Sequence, residues 1–170
     1  MATDSAAAGT SPFLRAFYEL VSLDAEERNT GLTGLLDHLT RATKAGSGAD
    51  DVDYTVKRLI RGLCSSRASA RQGFAAALVR VLAMFPSATP LEGVVQQIMQ
   101  ATTPSGRQRG HEDRDQYFGR AFGFMAVQRS GRLSEVRARC VGRHVCCAAL
   151  PVPVVGARCV SRFVRPAAVS

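Results

Sequence analysis

The sequence predicts an all-α domain of stacked helical hairpins, with about six helices. Apolar residues recur at the 3.6-residue period of a helix through residues 11–133, and prolines, glycines and short polar runs separate the periodic stretches. This region shows no alternation of apolar and polar residues of the kind that strands require. Short connections make neighbouring helices antiparallel, so we expect each apolar stripe to pack against the next helix.

The first two helices are predicted from their start signals. Ser11 followed by Pro12 is typical of an N-cap and a first helical residue. Asp24, with Glu27 three residues later, resembles a capping box and opens helix 2. Two internal glycines each lower the stability of this helix by about 1 kcal/mol relative to alanine. The predicted apolar faces are Leu14, Phe17, Tyr18 and Val21 in helix 1, and Leu32, Leu35, Leu36 and Leu39 in helix 2.

Residues 54–85 predict a central hairpin, in which the polar run 64–67 joins two amphipathic helices. We expect residues 45–51 to form a flexible loop that places two aspartates at the N-terminus of helix 3. The stripes are Val56, Leu59, Ile60 and Leu63 in helix 3, and Phe74, Leu78, Val81, Leu82 and Phe85 in helix 4.

Prolines and a glycine mark the remaining helices. Pro86 ends helix 4, Pro90 begins helix 5, and Gly131 stops helix 6 after a predicted span of 112–128. Residues 102–110 form a basic polar loop. The predicted core faces are Leu91, Val94, Val95 and Ile98 in helix 5, and Phe118, Ala121, Phe122 and Met125 in helix 6.

The two ends of the chain differ from the helical region in composition. Residues 1–10 are mostly small and polar and are predicted to be disordered. Residues 134–170 hold six of the 22 Lys and Arg but one of the 14 Asp and Glu, so +5 of the net charge of +8 lies there. We interpret this basic, cysteine-rich segment as an irregular tail outside the fold. An apolar signal-peptide core is not evident at the start, so we expect synthesis in the cytosol.

Two runs of sequence are long and ordered enough to compare with known families. The first, in residues 57–75, contains KRLIRGL, then SR, AR and GFA; the second, in residues 117–133, contains YFGRAFG and SGRL. Together they resemble the Myb-binding protein 1A family, also called the DNA polymerase phi family. The resemblance covers residues 12–133 and implies an armadillo-like N-terminal segment of a longer helical protein.

The resemblance also implies a function. It suggests a transcription co-regulator and ribosome-biogenesis factor of the nucleus and nucleolus, with transcription factors, nucleolar proteins and rDNA or rRNA as partners. Neither a membrane, a small-molecule substrate nor a cofactor is expected. The alternative is a structural helical-repeat module in ribosome assembly without direct DNA contact. A polymerase needs carboxylates arranged around Mg²⁺; Asp50, Asp51 and Asp53 are not spaced for this, so we expect no enzyme and no catalytic residue.

A cluster of basic residues is the first candidate site. These side chains could contact nucleic-acid phosphates or an acidic partner. Arg67 and Arg71 could instead bind carbonyls at helix ends or pair with acidic residues such as Asp51 and Asp53. The cluster consists of Lys57, Arg58, Arg61, Arg67 and Arg71. A second, weaker patch consists of Arg107, Arg109 and Arg114.

An LxxLL box is the second candidate site. Leu32, Leu35 and Leu36 have the spacing with which an amphipathic helix docks into a transcription-factor groove. The same residues form the predicted core stripe of helix 2, and we favour that interpretation. Cys64 is predicted to be a packed thiol. We expect no metal site, because the tail cysteines and His144 lack the paired spacing of structural zinc sites: Cys140, Cys146, Cys147 and Cys159.

Overall fold

A computed structural model describes residues 11–103 and 110–135, with side chains from residue 113 onward in the second range. Six α-helices account for most of these residues and no strand occurs among them, which confirms the predicted all-α class. The disordered N-terminus and the irregular tail were predicted for segments outside the described residues. The helices are α1 (Pro12–Glu19), α2 (Ala25–Lys44), α3 (Gly48–Gly62), α4 (Ala68–Met84), α5 (Leu91–Ala101) and α6 (Gly110–Arg129).

The start of α2 shows how side chains fix a helix boundary. The Asp24 carboxylate accepts the backbone N–H of Glu26 at 3.2 Å, which satisfies one free donor of the first turn. Glu27 does not close the predicted reciprocal bond to Asp24. Its carboxylate instead accepts the hydroxyl of Ser22, and the Ser22 oxygen in turn accepts the Asp24 N–H at 3.1 Å. The N-cap at Asp24 is therefore confirmed, and the Ser22 hydroxyl bridges the Glu27 carboxylate and the Asp24 N–H.

Two glycines in the left-handed region end helices. Gly46 follows α2 with φ of 83°, and Gly131 follows α6 with φ of 77°, a conformation that residues with a side chain rarely adopt. The stop predicted at Gly131 is confirmed. Pro86 likewise follows the end of α4 at Met84, as predicted.

The loop predicted at residues 45–51 is shorter than expected, and the prediction is wrong from residue 48 onward. The sharp turn at Gly46 ends α2, and α3 already begins at Gly48. Gly48 packs so closely on α2 that a Cβ atom there would lie 2.4 Å from the backbone nitrogen of Thr43. Asp50 and Asp51 therefore lie in the first turn of α3, where carboxylates are favoured by the helix dipole.

The helices pack in consecutive pairs around one hydrophobic core. Contacts join α1 to α2, α3 to α4 and α5 to α6. Between pairs, α2 contacts α3 and α4, α3 contacts α5 and α6, and α4 contacts α6. The second helices of the pairs therefore lie side by side, and so do α3 and α5. The centre of the core consists of fully buried residues in or next to α2, α3, α4 and α5: Leu35, Leu39, Val52, Leu59, Leu63, Leu78, Val81, Leu82 and Ile98.

The predicted face of α1 is partly wrong. Phe17 is buried, but Tyr18 is 65% exposed, and α1 ends at Glu19, before Val21. The core residues of this segment are Ala16, Phe17 and Leu20. The short helix meets the core along a narrow stripe, so Tyr18, one position beyond Phe17, turns to solvent.

The predicted core face of α6 is also wrong in large part. Phe118 is 43% exposed and Met125 37% exposed. Smaller residues face the core instead: Gly119, Gly123, Ala126 and Val127. A Cβ on Gly119 would lie 2.6 Å from Cys64 Sγ, and one on Gly123 would lie 2.9 Å from Ile98 Cγ2. Since α6 approaches Cys64 and Ile98 through glycines, Phe118 and Met125 lie beside this contact. Of the predicted residues, Phe122 packs against the core from a half-buried position.

None of the six described helices combines sufficient length with sufficient hydropathy to span a membrane.

Candidate nucleic-acid and partner interface

The turn between α3 and α4 carries the most accessible part of the predicted basic cluster. The turn is tight because Gly62, the last residue of α3, lies against the ring of Phe74, where a Cβ would come within 2.3 Å of a ring carbon. Backbone bonds from Cys64 to Arg61 and from Ser65 to Gly62, at 3.2 and 3.1 Å, close the end of α3. The two helices are thus held close together at the turn.

Arg61 and Arg67 lie on opposite sides of this turn with exposed side chains. Arg61 is in the last turn of α3, where a cation is favoured by the helix dipole. Arg67 is the N-cap residue of α4 and makes no side-chain cap. Neither guanidinium has an ion-pair partner among the described residues. Both cations are therefore available to an anionic ligand.

Lys57 and Arg58 are engaged within the protein. The Lys57 ammonium contacts the Asp53 carboxylate at 2.5 Å, one helical turn away. The Arg58 guanidinium donates to the Tyr54 hydroxyl at 2.7 Å, and its carbon lies 4.4 Å from the centre of the Phe17 ring. Arg58 thus ties α3 to α1 through a cation–π contact. Of these two, Lys57 is the more exposed.

Arg71 has a structural position. Its side chain is only 14% exposed, and it donates to the carbonyl oxygen of Ser65 at 2.6 Å. The guanidinium also lies 3.7 Å from the Asp115 carboxylate and 5.1 Å from the Phe118 ring centre, both on α6. Arg71 therefore joins the α3–α4 turn to α6, which is the carbonyl-binding role considered for it as the alternative to phosphate contact.

The second basic patch is only partly described. Arg107 and Arg109 lie outside the described residues. Arg114 is exposed on α6 and lies 4.0 Å from the Asp115 carboxylate, its sequence neighbour. The described part of this patch is therefore a single arginine, Arg114, whose charge is offset by the neighbouring Asp115 carboxylate.

The LxxLL box lies in the core-facing half of α2. Leu35 has no exposed surface, Leu36 is 9% exposed, and Leu32 packs against the core from a half-buried position. Docking through these side chains would require α2 to leave the core. The burial supports the core interpretation, and docking through the box stays a prediction.

Two aspartates near the start of α3 each pair with a different basic side chain. Asp51 pairs with Nε2 of His38 at 3.1 Å, and the His38 ring stacks on Phe13 with centres 4.4 Å apart. Asp53 holds Lys57. Within residues 11–103 and 113–135, no three His, Cys, Asp or Glu side chains gather closely enough to hold a metal ion.

Cys64 packs between helices. Its thiol lies 3.9 Å from the carbonyl oxygen of Ala101 and against the backbone of Gly119. Burial, and secondarily the nearby Asp115 carboxylate, raises the pKa of the Cys64 thiol. A raised pKa keeps the sulfur protonated at neutral pH, which fits the predicted packed thiol. The tail cysteines and His144 lie outside the described residues.

Two arginines that were not singled out from the sequence as site residues bind backbone oxygens of other helices or their connections. Arg120 donates to the Thr102 hydroxyl at 3.1 Å and to the Thr102 carbonyl at 2.9 Å, just after α5. Arg132 is 8% exposed and donates to four oxygens around the end of α4, those of Leu82, Pro86 and Thr89. Both lie inside the YFGRAFG and SGRL runs, and that position is the signal by which they could have been found.

The family of the chain follows from a match over most of this helical region. The family model described as DNA polymerase phi matches residues 54–146, more than half of the chain. The chain belongs to the DNA polymerase phi family. The predicted resemblance is thereby confirmed, and the match continues 13 residues past Leu133. The matched range of this family member includes the residues that make the contacts described above. These are the glycines of close helix approach and the carbonyl-binding arginines: Gly62, Gly119, Arg71, Arg120 and Arg132.

Curated relatives of this DNA polymerase phi family member align with 71–74% of its chain. It is 34% identical over 126 residues to the rDNA transcriptional regulator pol5 of Schizosaccharomyces pombe, a match that covers 74% of this chain and 12% of the relative. It is 32% identical over 121 residues to human Myb-binding protein 1A, covering 71% of this chain and 9% of that protein. A Myb-binding protein 1A-like protein of Danio rerio is 30% identical over 131 residues. The chain thus spans about a tenth of the length of these relatives. No solved structure matches it.

Proposed function

We propose that this chain is a binding module of a nuclear and nucleolar transcription regulator, without enzymatic activity of its own. Its family membership supports this, because relatives are named as an rDNA transcriptional regulator and as Myb-binding proteins. The described hairpins provide rigid surfaces and no cluster of carboxylates around which polymerase chemistry could be built. The module acts by contact, with proteins and with the phosphates of rDNA or rRNA, in an armadillo-like helical array.

The observation that carries the nucleic-acid part is the pair of available arginines at the α3–α4 turn. Arg61 and Arg67 are exposed and lack carboxylate partners in the described structure. The first-turn N–H groups of α4 lie beside Arg67 and have no side-chain cap, and uncapped N–H groups at a helix start favour phosphate. Lys57, one turn before Arg61 on α3, adds a third cation whose pairing with Asp53 is exposed and therefore weak.

The second candidate function is a structural helical module in ribosome assembly that does not touch DNA directly. The observation that favours it is the intramolecular use of Arg58 and Arg71, which removes two of the five predicted cations from the surface available to a ligand. The two functions differ in what they predict for salt dependence. Phosphate contacts release bound counterions, so affinity for a duplex falls steeply with salt only if such contacts exist.

The test is binding of the full chain to duplex DNA and duplex RNA, measured by fluorescence anisotropy across a series of salt concentrations. The double variant Arg61→Ala/Arg67→Ala should lower the slope of log affinity against log salt by about one for each lost phosphate contact. Arg41→Ala is the matched control, because Arg41 is also exposed on a helix but lies outside this turn.

Two outcomes would decide against the nucleic-acid proposal. Duplex binding that is absent at low salt would favour the structural module. A slope that the double variant leaves unchanged, while Arg41→Ala lowers it, would place the phosphate contacts elsewhere on the surface.

A further inference from the structure

An open apolar groove of about 190 Å³ lies between α4 and α6. On the α4 side its wall consists of small residues, Ala75, Ala76 and Val79; on the α6 side it consists of the larger Phe122 and Met125. Because α4 presents alanines where α6 presents a ring and a thioether, the two walls do not fill the space between the helices. Gly119 and Gly123 face Cys64 and Ile98, away from this groove, so α6 turns Phe122 and Met125 toward α4.

The charges around the groove have one sign. Arg129 lines it, and Arg80 lies one helical turn from the lining residue Ala76 along α4. Both arginines are exposed, and neither has an ion-pair partner among the described residues. No acidic residue occurs anywhere in α4 or in α6 after Asp115, and the Asp115 carboxylate lies against Arg71. An occupant with carboxylates at its edges would thus meet two arginines and no carboxylate from α4 or from the groove-lining part of α6.

We propose that this groove docks an amphipathic helix of a partner protein, with bulky aliphatic side chains on one face and carboxylates on its flanks. The apolar walls would take the aliphatic side chains, and the polarizable Met125 adapts to different shapes. Arg80 and Arg129 would pair with the flanking carboxylates and set the orientation of the helix. A nucleic acid is disfavoured, because the walls are apolar and two cations among the described residues lie beside them.

This proposal concerns a different surface from the phosphate contacts proposed at the α3–α4 turn. The groove residues belong to the middle of α4 and to α6, whereas Arg61 and Arg67 precede α4. Substitutions in one surface leave the side chains of the other unchanged. Failure of one proposal is therefore distinguishable from failure of the other.

The test uses the full chain and two labelled synthetic helices that share leucines at i, i+3, i+4 and i+7. One peptide carries glutamates on its flanks and the other carries lysines, and binding is measured by fluorescence anisotropy. The acidic peptide should bind about tenfold or more tightly than the basic one, with a difference that shrinks as salt rises. Gln72→Glu and Ala76→Glu, both at exposed groove positions, should each weaken acidic-peptide binding about tenfold.

Ala49→Glu is the matched control, since Ala49 is exposed on α3 and does not line the groove. It should leave peptide affinity unchanged. Gln72→Glu keeps the size of the side chain, so it remains informative if Ala76→Glu disturbs folding, which circular dichroism would reveal. Equal binding of the two peptides, no binding of either, or equal losses in Ala49→Glu and the groove variants would each overturn the proposal. Duplex RNA binding that the groove variants abolish, without acidic-peptide binding, would also overturn it and assign the groove to nucleic acid.

Discussion

Arg132, which follows α6, binds backbone oxygens at the end of α4, more than 40 residues earlier in the chain. Its guanidinium donates to carbonyl oxygens of Leu82 and Thr89 at 3.0 and 2.9 Å and pairs with the Glu135 carboxylate at 2.8 Å. The last carbonyls of a helix have no partner within the helix, and a planar guanidinium can satisfy several at once. Arg132 thereby closes the end of α4 with a residue that follows α6.

Replacement of Arg132 should therefore destabilise the fold. Arg132→Ala leaves several buried carbonyl oxygens without donors and should lower the free energy of unfolding by about 2–3 kcal/mol, measured by urea denaturation. Arg132→Lys should recover only part of this, because an ammonium cannot reach all the oxygens in one plane. Arg129→Ala, at a nearby exposed position, should change stability by less than about 0.5 kcal/mol. Equal effects of Arg132→Ala and Arg129→Ala would contradict this role.

The roles of individual arginines could be predicted only in part. The sequence placed five cations around the hairpin, and it raised the alternative that some bind carbonyls at helix ends. It could not tell Arg71, which is partly buried and donates to Ser65, from Arg67, which is exposed. The difference depends on which side of α4 meets α6, and the spacing of residues along α4 does not contain that information.

At the scale of helices, the three hairpins share one contact. The second helix of each pair carries an arginine that donates to a carbonyl at the preceding connection. Arg28 reaches Ser22 at 2.8 Å, Arg71 reaches Ser65 at 2.6 Å, and Arg120 reaches Thr102 at 2.9 Å. The arginine follows its acceptor by six residues in the first two hairpins and by 18 in the third, so the contact recurs even where the spacing differs.

Helix boundaries were predictable where local chemistry sets them. Asp24, Pro86 and Gly131 act on the backbone within a few residues, so their effects can be inferred from sequence alone. The buried face of α6 was not predictable in this way. Gly119 and Gly123 have no side chain to add to an apolar stripe, and their role becomes visible only beside Cys64 and Ile98.

Two glycines of α2 offer a matched test of helix packing. Gly34 has open space around its Cβ position, so Gly34→Ala should stabilise the protein by up to about 1 kcal/mol through helix propensity. At Gly31 a Cβ would lie 2.8 Å from the carbonyl oxygen of Ala16 and 2.7 Å from Glu19 Cβ. Gly31→Ala should therefore destabilise by about 1–3 kcal/mol, because α1 must shift. Thermal melting of both variants measures this, and stabilisation by Gly31→Ala would contradict the close packing of α1 on α2.

At the scale of the whole molecule, the positive charge is unevenly distributed along the chain. Most of the excess positive charge lies after Leu133, whereas the described helices carry a nearly balanced charge and two sets of available arginines. Arg61 and Arg67 lie at the α3–α4 turn, and Arg80 and Arg129 lie beside the apolar groove. The proposed functions require these surfaces to be held in place by one folded unit within residues 11–135.

The measurement that tests this central claim most directly is circular dichroism with thermal melting of residues 1–135 and of the full chain in parallel. Both should be strongly helical and should melt in one cooperative transition, with midpoints that agree within about 3 °C, because the core contacts lie within residues 11–135. A shorter chain that is unfolded, or two chains that lose helix gradually without a transition, would contradict the claim that these six helices form one folded unit.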